Sequence, residues 1–521
     1  MKLLPLDTPK MPFTTGDDLP SIIARIAASR PGAVALIDGD RRVTWSALAS
    51  GVAGVAGALL SKPRARGDRV AMLGANSAEY VEAFFGALHA GLCAVPLPTL
   101  ASKETLALML EDSGARVLFA SAAYRDVAEE LVRGRDVEGV GFDFESEAFR
   151  GYAKFVATSS AIAPVAVSGS DAFDIIYSSG TTGVPKGIVH SHAARKASYA
   201  GSRAAYFSET DFNVIATPFY SNTTCVTWFL ATARGSTNVI LGKFSPDAFL
   251  RAVEQHRITH AMLVPVQYDR ILESAHFEQT DVSSLRFLFS TSAPLRADTK
   301  RKVLDRTRAD LIEIYGLTEG GPVTVLEARK HPDKLASVGQ APPGIDVRVV
   351  DEAGKPLPPG QAGEVIGRSS NMMDGYLNRA EDTKAMVYFA DGALFFKTGD
   401  LGRFDEDGFL YLLDRKKDVI ISGGFNVYAT DLEAVILRHE DVVEATVIGI
   451  PSTRWGETPI ALVVLRQGAR AAPEELLAFC NERVGKIQRL HSVEIRAELP
   501  KNAIGKILKR ELRAPYWKDQ A

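Results

Sequence analysis

Tyr177-Ser178-Ser179-Gly180-Thr181-Thr182-Gly183-Val184-Pro185-Lys186-Gly187 gathers flexible backbone, hydroxyls and one lysine into a loop sized for a phosphate chain. Glycines let backbone N–H groups turn toward an anion, hydroxyls add short donors, and the ammonium adds a mobile positive charge. The order of residues is not that of a P-loop, which needs Ser or Thr directly after the lysine; here Pro185 precedes Lys186 and Gly187 follows it. The loop reads as an ATP-phosphate loop on a different fold. Taken alone, it is also compatible with a Gly-rich surface turn.

Around the loop, short β-branched runs alternate with helical patterns. Residues 174–177, 213–217, 238–241, 261–264, 287–289 and 311–315 are strand candidates, and Ser245-Pro246 opens a helix whose Phe249, Leu250 and Val253 share a face. This alternation predicts layered α/β structure with largely parallel sheets. A second α/β pattern spans roughly residues 20–150, with a strand over 69–73 and a helix over 79–90. From about 338 to 414 the texture becomes turn-rich β, punctuated at 355–360 and 405–408. After Asp414-Arg415-Lys416-Lys417-Asp418 comes a small α+β pattern, in which Thr430 and Glu433 have the spacing of a capping box. The expected organisation is an N-terminal domain of residues 1–414 (α/β subdomains to about 337, then a β-rich subdomain) and a C-terminal domain of 415–521.

At 521 residues the chain exceeds one ordinary core. Its 60 basic and 63 acidic residues leave a net charge of −3, which gives no electrostatic reason to expect nucleic acid. Cys93, Cys225 and Cys480 are odd in number, far apart and without metal-ligand spacing, which suits a reducing cytoplasm. The first residues lack a signal-peptide core, and no lipidation or peroxisomal signal stands at the C-terminus. The most apolar stretch, 84–100, contains His89, Gly91, Pro96 and Pro98 and reads as core helix, turn and strand, not a membrane span.

Four more signals follow the loop in order: Tyr315-Gly316-Leu317-Thr318-Glu319, Phe396-Lys397-Thr398-Gly399-Asp400-Leu401, Asp414-Arg415-Lys416-Lys417-Asp418, and Pro500-Lys501-Asn502-Ala503-Ile504-Gly505-Lys506. With the loop, they resemble the acyl-adenylate-forming superfamily of acyl-CoA synthetases, luciferases and peptide-synthetase adenylation domains, over nearly the whole chain. The resemblance implies a large layered αβαβα N-terminal domain with a β-rich subdomain and a small mobile α+β C-terminal domain. It assigns Ser178, Ser179, Gly180, Thr181, Thr182, Gly183 and Lys186 to the ATP phosphates, Thr318 to phosphate contact and Glu319 to Mg²⁺, a cation that takes hard oxygen ligands. Ser292, Ala293 and Pro294 fall on the adenine side, with Thr291 where the family commonly has glycine, and Tyr315 and Gly316 are assigned to ATP/AMP binding. Asp400 and Arg415 fall to the ribose hydroxyls, although Leu413-Asp414 stands where glycine usually precedes the arginine. Lys506 is the adenylation lysine, Lys417 the hinge, and Gly423 and Gly424 line the pantetheine tunnel of CoA.

A carboxylate is a poor acylating agent, and adenylation replaces its oxide leaving group with AMP. The resemblance implies that the carboxylate attacks the α-phosphorus of ATP, pyrophosphate leaves, and a thiol takes the acyl group while the C-terminal domain rotates. By position the acyl pocket draws on Tyr220, Ser221, Met262, Val264, Gly320 and Gly321. The C-terminal domain is especially similar to benzoate- and halobenzoate-CoA ligases, but many relatives carry histidine where Ser221 stands. Aromatic or alicyclic acids and short- to medium-chain fatty acids therefore both remain as substrates. The expectation is an ATP- and Mg²⁺-dependent carboxylate–CoA ligase, with a homodimer compatible. Its rivals are an adenylating enzyme with a carrier protein or other acceptor, and a non-catalytic protein that kept the fold.

Overall fold

The computed structural model describes residues 3–4, 6–157, 160–178, 185–422, 425–501 and 506–517. The chain divides into two units: Met1–Val347 with Gly367–Phe396, and Arg348–Ile366 with Lys397–Ala521.

Two eight-stranded sheets build the first unit. In one, the strands Asp310–Gly316, Phe287–Ser290, His260–Leu263, Phe212–Ile215, Thr237–Ile240 and Val34–Asp38 run parallel, with antiparallel Val323–Glu327 and Arg41–Thr44 at its edges. In the other, parallel strands from Ala172–Ser178 to Phe149–Gly151 end in the antiparallel strands Lys186–Ser191 and Gly375–Tyr376. Helices Trp45–Leu60, Ala78–His89 and Asn222–Arg234 supply the core that joins these sheets, where Trp228 packs 5.0 and 5.1 Å from the rings of Phe84 and Phe85. Burying side chains of this size contributes about 2–3 kcal/mol each. On the far face of the second sheet, Leu106, Met109 and Leu110 of helix Lys103–Ser113 cover Ala71, Leu73 and Val95.

Strand pleating sets the fifth layer. Ile312 and Ile314 enter the core between the sheets, so Glu313 points the other way. There it meets Lys300 of helix Ala297–Arg306 in a fully buried ion pair. Helix, sheet, helix, sheet, helix is the αβαβα order that the sequence motifs imply. The strand candidates fall on observed strands within a few residues, and Ser245 caps its helix by accepting from Ala248 N.

The architecture also explains where the motifs lie. Tyr220, Val264, Ser292 and Thr318 each follow the carboxyl end of a parallel strand of the first sheet. That edge of an open parallel sheet is where α/β folds bind ligands.

The second unit contains most of a β-rich sheet, in which Ala393–Phe404 pairs with Leu410–Arg415, and a small α+β body. In that body helices Ala429–Ile436 and Pro473–Asn481 close over a sheet through Leu432, Ile436, Leu476 and Cys480. The expected capping box is not formed. Asp414 Oδ2 already accepts from Ala429 N at 2.7 Å and caps the helix from outside it. Thr430 Oγ1 is thereby released to donate to Leu413 O, and Glu433 Oε1 accepts from Val447 N at 2.7 Å and pairs with Lys509 at 2.9 Å.

Candidate active site

The phosphate loop leaves and re-enters an antiparallel pair in which Ser178 lies opposite Lys186. Ser179, Gly180, Thr181, Thr182 and Gly183 lie outside the described residues, as do Gly423 and Gly424. Lys186 Nζ is 2.9 Å from Asp382 and 5.1 Å from the centre of the Tyr376 ring. The Tyr376 hydroxyl in turn donates to Glu319 Oε1 at 2.7 Å. Burial, reinforced by the Glu319 charge, pushes the Tyr376 phenol up, so it stays a donor. Lysine, phenol and carboxylate thus meet in one unit although 133 residues separate Lys186 from Glu319 in sequence.

The loop carrying Thr318 and Glu319 is braced along its backbone. His190 Nε2 donates to Thr318 O at 2.8 Å, and Met373 N donates to Glu319 O at 2.8 Å. Gly320 has φ +77°, and a β-carbon there would stand 2.5 Å from Asn371 O. Gly321 also has positive φ, at +89°. With Tyr376 on one oxygen, Glu319 keeps lone pairs for a hard cation. One carboxylate completed by phosphate oxygens and water is a donor set that fits Mg²⁺.

On the adenine side, Ser292 adopts φ +81°, which is unusual for a residue with a side chain. Its hydroxyl meets Thr223 Oγ1, tying this segment to the helix that follows Ser221. Ala293 is partly buried and Pro294 exposed; Tyr315 is buried and Gly316 exposed at the strand end. Ser221 is the N-cap of helix Asn222–Arg234, accepting from Thr223 N, and Tyr220 beside it is buried. Val264 is buried at the start of helix Pro265–Leu272. Met262 packs in the core between the sheets.

In the second unit Asp400 and Arg415 lie directly opposite on paired strands, with Arg415 Nε 3.1 Å from Asp400 Oδ1. Lys506 is half-buried near this pair and near Lys417. Burial first, then the Arg415 charge, lowers the Lys506 ammonium to about 8. Burial also lowers Lys417. Lys417 lies in a turn closed by Asp418 N donating to Arg415 O at 2.8 Å, and its own carbonyl accepts from Arg513.

Sequence reasoning missed Tyr376, Asp382 and a polar cluster of Asp174, His190, Arg195 and Asn222. The cluster left a signal: Asp174 interrupts an apolar strand, and His190 interrupts the next one soon after Lys186. Tyr376 left only a Gly-Tyr pair in a turn-rich stretch.

The first unit thus holds Lys186 and Glu319, and the second the Asp400–Arg415 pair, which are the groups expected of a nucleotide-dependent acyl-activating enzyme. Residues 23–377 match the AMP-binding enzyme family and residues 431–506 the AMP-binding enzyme C-terminal domain. A feruloyl-CoA synthase of Amycolatopsis sp is 34% identical, over 94% of this chain and 98% of that protein. A long-chain-fatty-acid–CoA ligase of Bacillus subtilis is 31% identical, over 95% and 94%. ATP-bound MatB from Rhodopseudomonas palustris superposes with a TM-score of 0.86 at 31% identity, covering 96% of this chain and 99% of that one. The chain belongs to the AMP-binding enzyme family. It is an AMP-forming acid–thiol ligase that works through an acyl-adenylate. No helix among the described residues is long and apolar enough to cross a membrane.

Proposed function

We propose that this enzyme activates an aromatic or alicyclic monocarboxylic acid and transfers its acyl group to free CoA. Lys186 and Thr318 take the phosphates of ATP, with Ser178, Ser179, Gly180, Thr181, Thr182 and Gly183 of the same loop. Glu319 holds Mg²⁺, which when bound screens the phosphate charge. Ser292, Ala293, Pro294, Tyr315 and Gly316 take the adenine side, and Asp400 and Arg415 take the ribose hydroxyls. Lys506 meets the charge that grows as a carboxylate oxygen bonds to the α-phosphorus and the bond to pyrophosphate breaks. CoA sulfur then bonds to the acyl carbon, AMP leaves, and the thiol proton passes to solvent. Residues 415–521 act as the mobile domain about Lys417 in this scheme, with Gly423 and Gly424 along the CoA path.

The observation that carries this reading is the position of the half-buried Lys506 beside the Asp400–Arg415 pair. A lysine so placed serves charge stabilisation better than it serves a solvated tail. For the acid, the 34% identity to a feruloyl-CoA synthase supports an aromatic class. Ser221, Asn222 and Thr223 offer a polar rim to a ring substituent. Three buried free thiols support a cytoplasmic setting.

The test supplies ATP and Mg²⁺ with a panel of aromatic, alicyclic and aliphatic acids, and either CoA or a carrier protein. CoA-dependent AMP release with aromatic or alicyclic acids is expected. Preference for aliphatic acids would overturn the substrate class, and AMP release only with carrier protein would overturn the acceptor.

A further inference from the structure

Beneath Thr318 lies a buried polar cluster to which the activation scheme gives no part. Asp174, in the middle of strand Ala172–Ser178, is 0% exposed. His190 is its direct partner on strand Lys186–Ser191, with Nδ1 2.9 Å from Asp174 Oδ1 and Nε2 2.8 Å from Thr318 O. Arg195 of helix His192–Ala200 reaches the same carboxylate, donating from Nε and Nη2 to Oδ1 at 3.1 and 2.9 Å. Its Nη2 also lies 2.7 Å from Oδ2, which it holds by charge. The remaining Arg195 nitrogen, Nη1, donates to Asn222 Oδ1 at 2.7 Å, next to Ser221. One carboxylate therefore connects the acyl side of the site with the loop that bears Thr318 and Glu319.

Counting protons settles the state of the ring. A peptide carbonyl can only accept, so His190 Nε2 must carry hydrogen. Burial pushes the Asp174 carboxyl up, but the Arg195 guanidinium, with two nitrogens on Oδ1 at 3.1 and 2.9 Å and Nη2 2.7 Å from Oδ2, holds it below its ordinary range. An ionised Asp174 accepts, so Nδ1 must carry hydrogen as well. A ring with both hydrogens is an imidazolium. Burial raises the thiols of Cys93 and Cys225, the latter to about 12, and lowers His192 to about 4, while Asp374, which accepts from Ser191 N at 2.7 Å, is paired with Lys10 at 3.3 Å. One negative and two positive charges leave the cluster cationic.

We propose that His190 is a buried imidazolium, fixed by Asp174, that positions Thr318 and places positive charge beneath the phosphates of ATP. Asp174 and His190 are positioning residues, and this inference rests on the nucleotide role given to Thr318. Arg195 and Asn222 tie the same anchor to the acyl side.

Ring ¹⁵N shifts of histidine-labelled protein at pH 7, assigned by the signals missing in His190→Gln, give the first test. Both His190 ring nitrogens should be bonded to hydrogen, and a bare nitrogen would overturn the proposal whether or not any variant folds. Adenylation kinetics give the second. His190→Leu should raise KM for ATP about tenfold or more and lower kcat, whereas His190→Gln, which keeps an N–H donor but not the charge, should fall between His190→Leu and wild type. Unchanged KM and kcat in His190→Leu would overturn the positioning role. A wild-type chain that forms no acyl-AMP would instead overturn the functional reading, and the spectrum would still judge the imidazolium.

Discussion

At the scale of single residues, Lys506 carries the sharpest expectation. In the proposed role its charge meets the negative charge that grows on the carboxylate and α-phosphate, and removing such a partner costs about 100- to 1,000-fold in rate. Lys506→Ala should lose that much adenylation, measured as acid-dependent pyrophosphate exchange, while thioester formation from supplied acyl-AMP stays within about tenfold. Its lowered pKa adds a pH signature. The ammonium persists below about 8 and becomes an amine above it, so adenylation should fall as pH rises through about 8. Lys506→Arg, whose guanidinium does not titrate there, should abolish this alkaline limb. Tyr376→Phe tests the other unit. It removes a hydrogen bond to a carboxylate, worth about 1.5–3 kcal/mol, so KM for ATP should rise about tenfold or more with little change in melting temperature.

At the scale of elements, the buried pair of Lys300 and Glu313 fastens helix Ala297–Arg306 to the strand that leads into Thr318. Lys300 Nζ also donates to Leu335 O and Ser337 O at 2.7 and 2.9 Å. Lys300→Met would strand a buried carboxylate and should destabilise the protein by about 3–5 kcal/mol in chemical denaturation. Adding Glu313→Leu should recover much of that loss, because an apolar pair carries no desolvation cost. Elements were legible in the sequence where their physics is local. The strand over 69–73 and the helix start at Ser245-Pro246 follow from side-chain period and capping chemistry. Thr430 and Glu433 misled because the helix that contains them starts at Ala429 and is capped by Asp414, 15 residues upstream of the N–H it binds. Spacing along a chain cannot report a donor taken by another strand. The same limit hid Tyr376 and Asp174, whose partners Glu319 and Arg195 are neighbours only after sheets form. The motif lysines, Asp400 and Arg415 were legible as candidates because their order along the chain is distinctive.

At the scale of the whole molecule, two half-reactions make different demands on one chain. In the proposed scheme adenylation needs Lys506 at the carboxylate, and thioester formation needs a thiol path in its place. A domain turning about Lys417 would reconcile these demands, and the turn Arg415–Asp418 offers the backbone on which to test it. Proline at 417 would fix its own φ and bias Lys416 toward extended backbone, so the turn could no longer exchange freely between two forms. If rotation at this point alternates the half-reactions, Lys417→Pro should change the ratio of adenylation to thioester formation by about tenfold or more, since a conformational gate acts on one step more than on the other. Pyrophosphate exchange would report the first step, and CoA consumption from supplied acyl-AMP the second. Lys417→Ala removes the charge without restricting the backbone and should leave the ratio near that of wild type. Equal loss of both steps in the proline variant, or an equal change of ratio in the alanine variant, would remove Lys417 from the hinge role and leave it a charged turn residue.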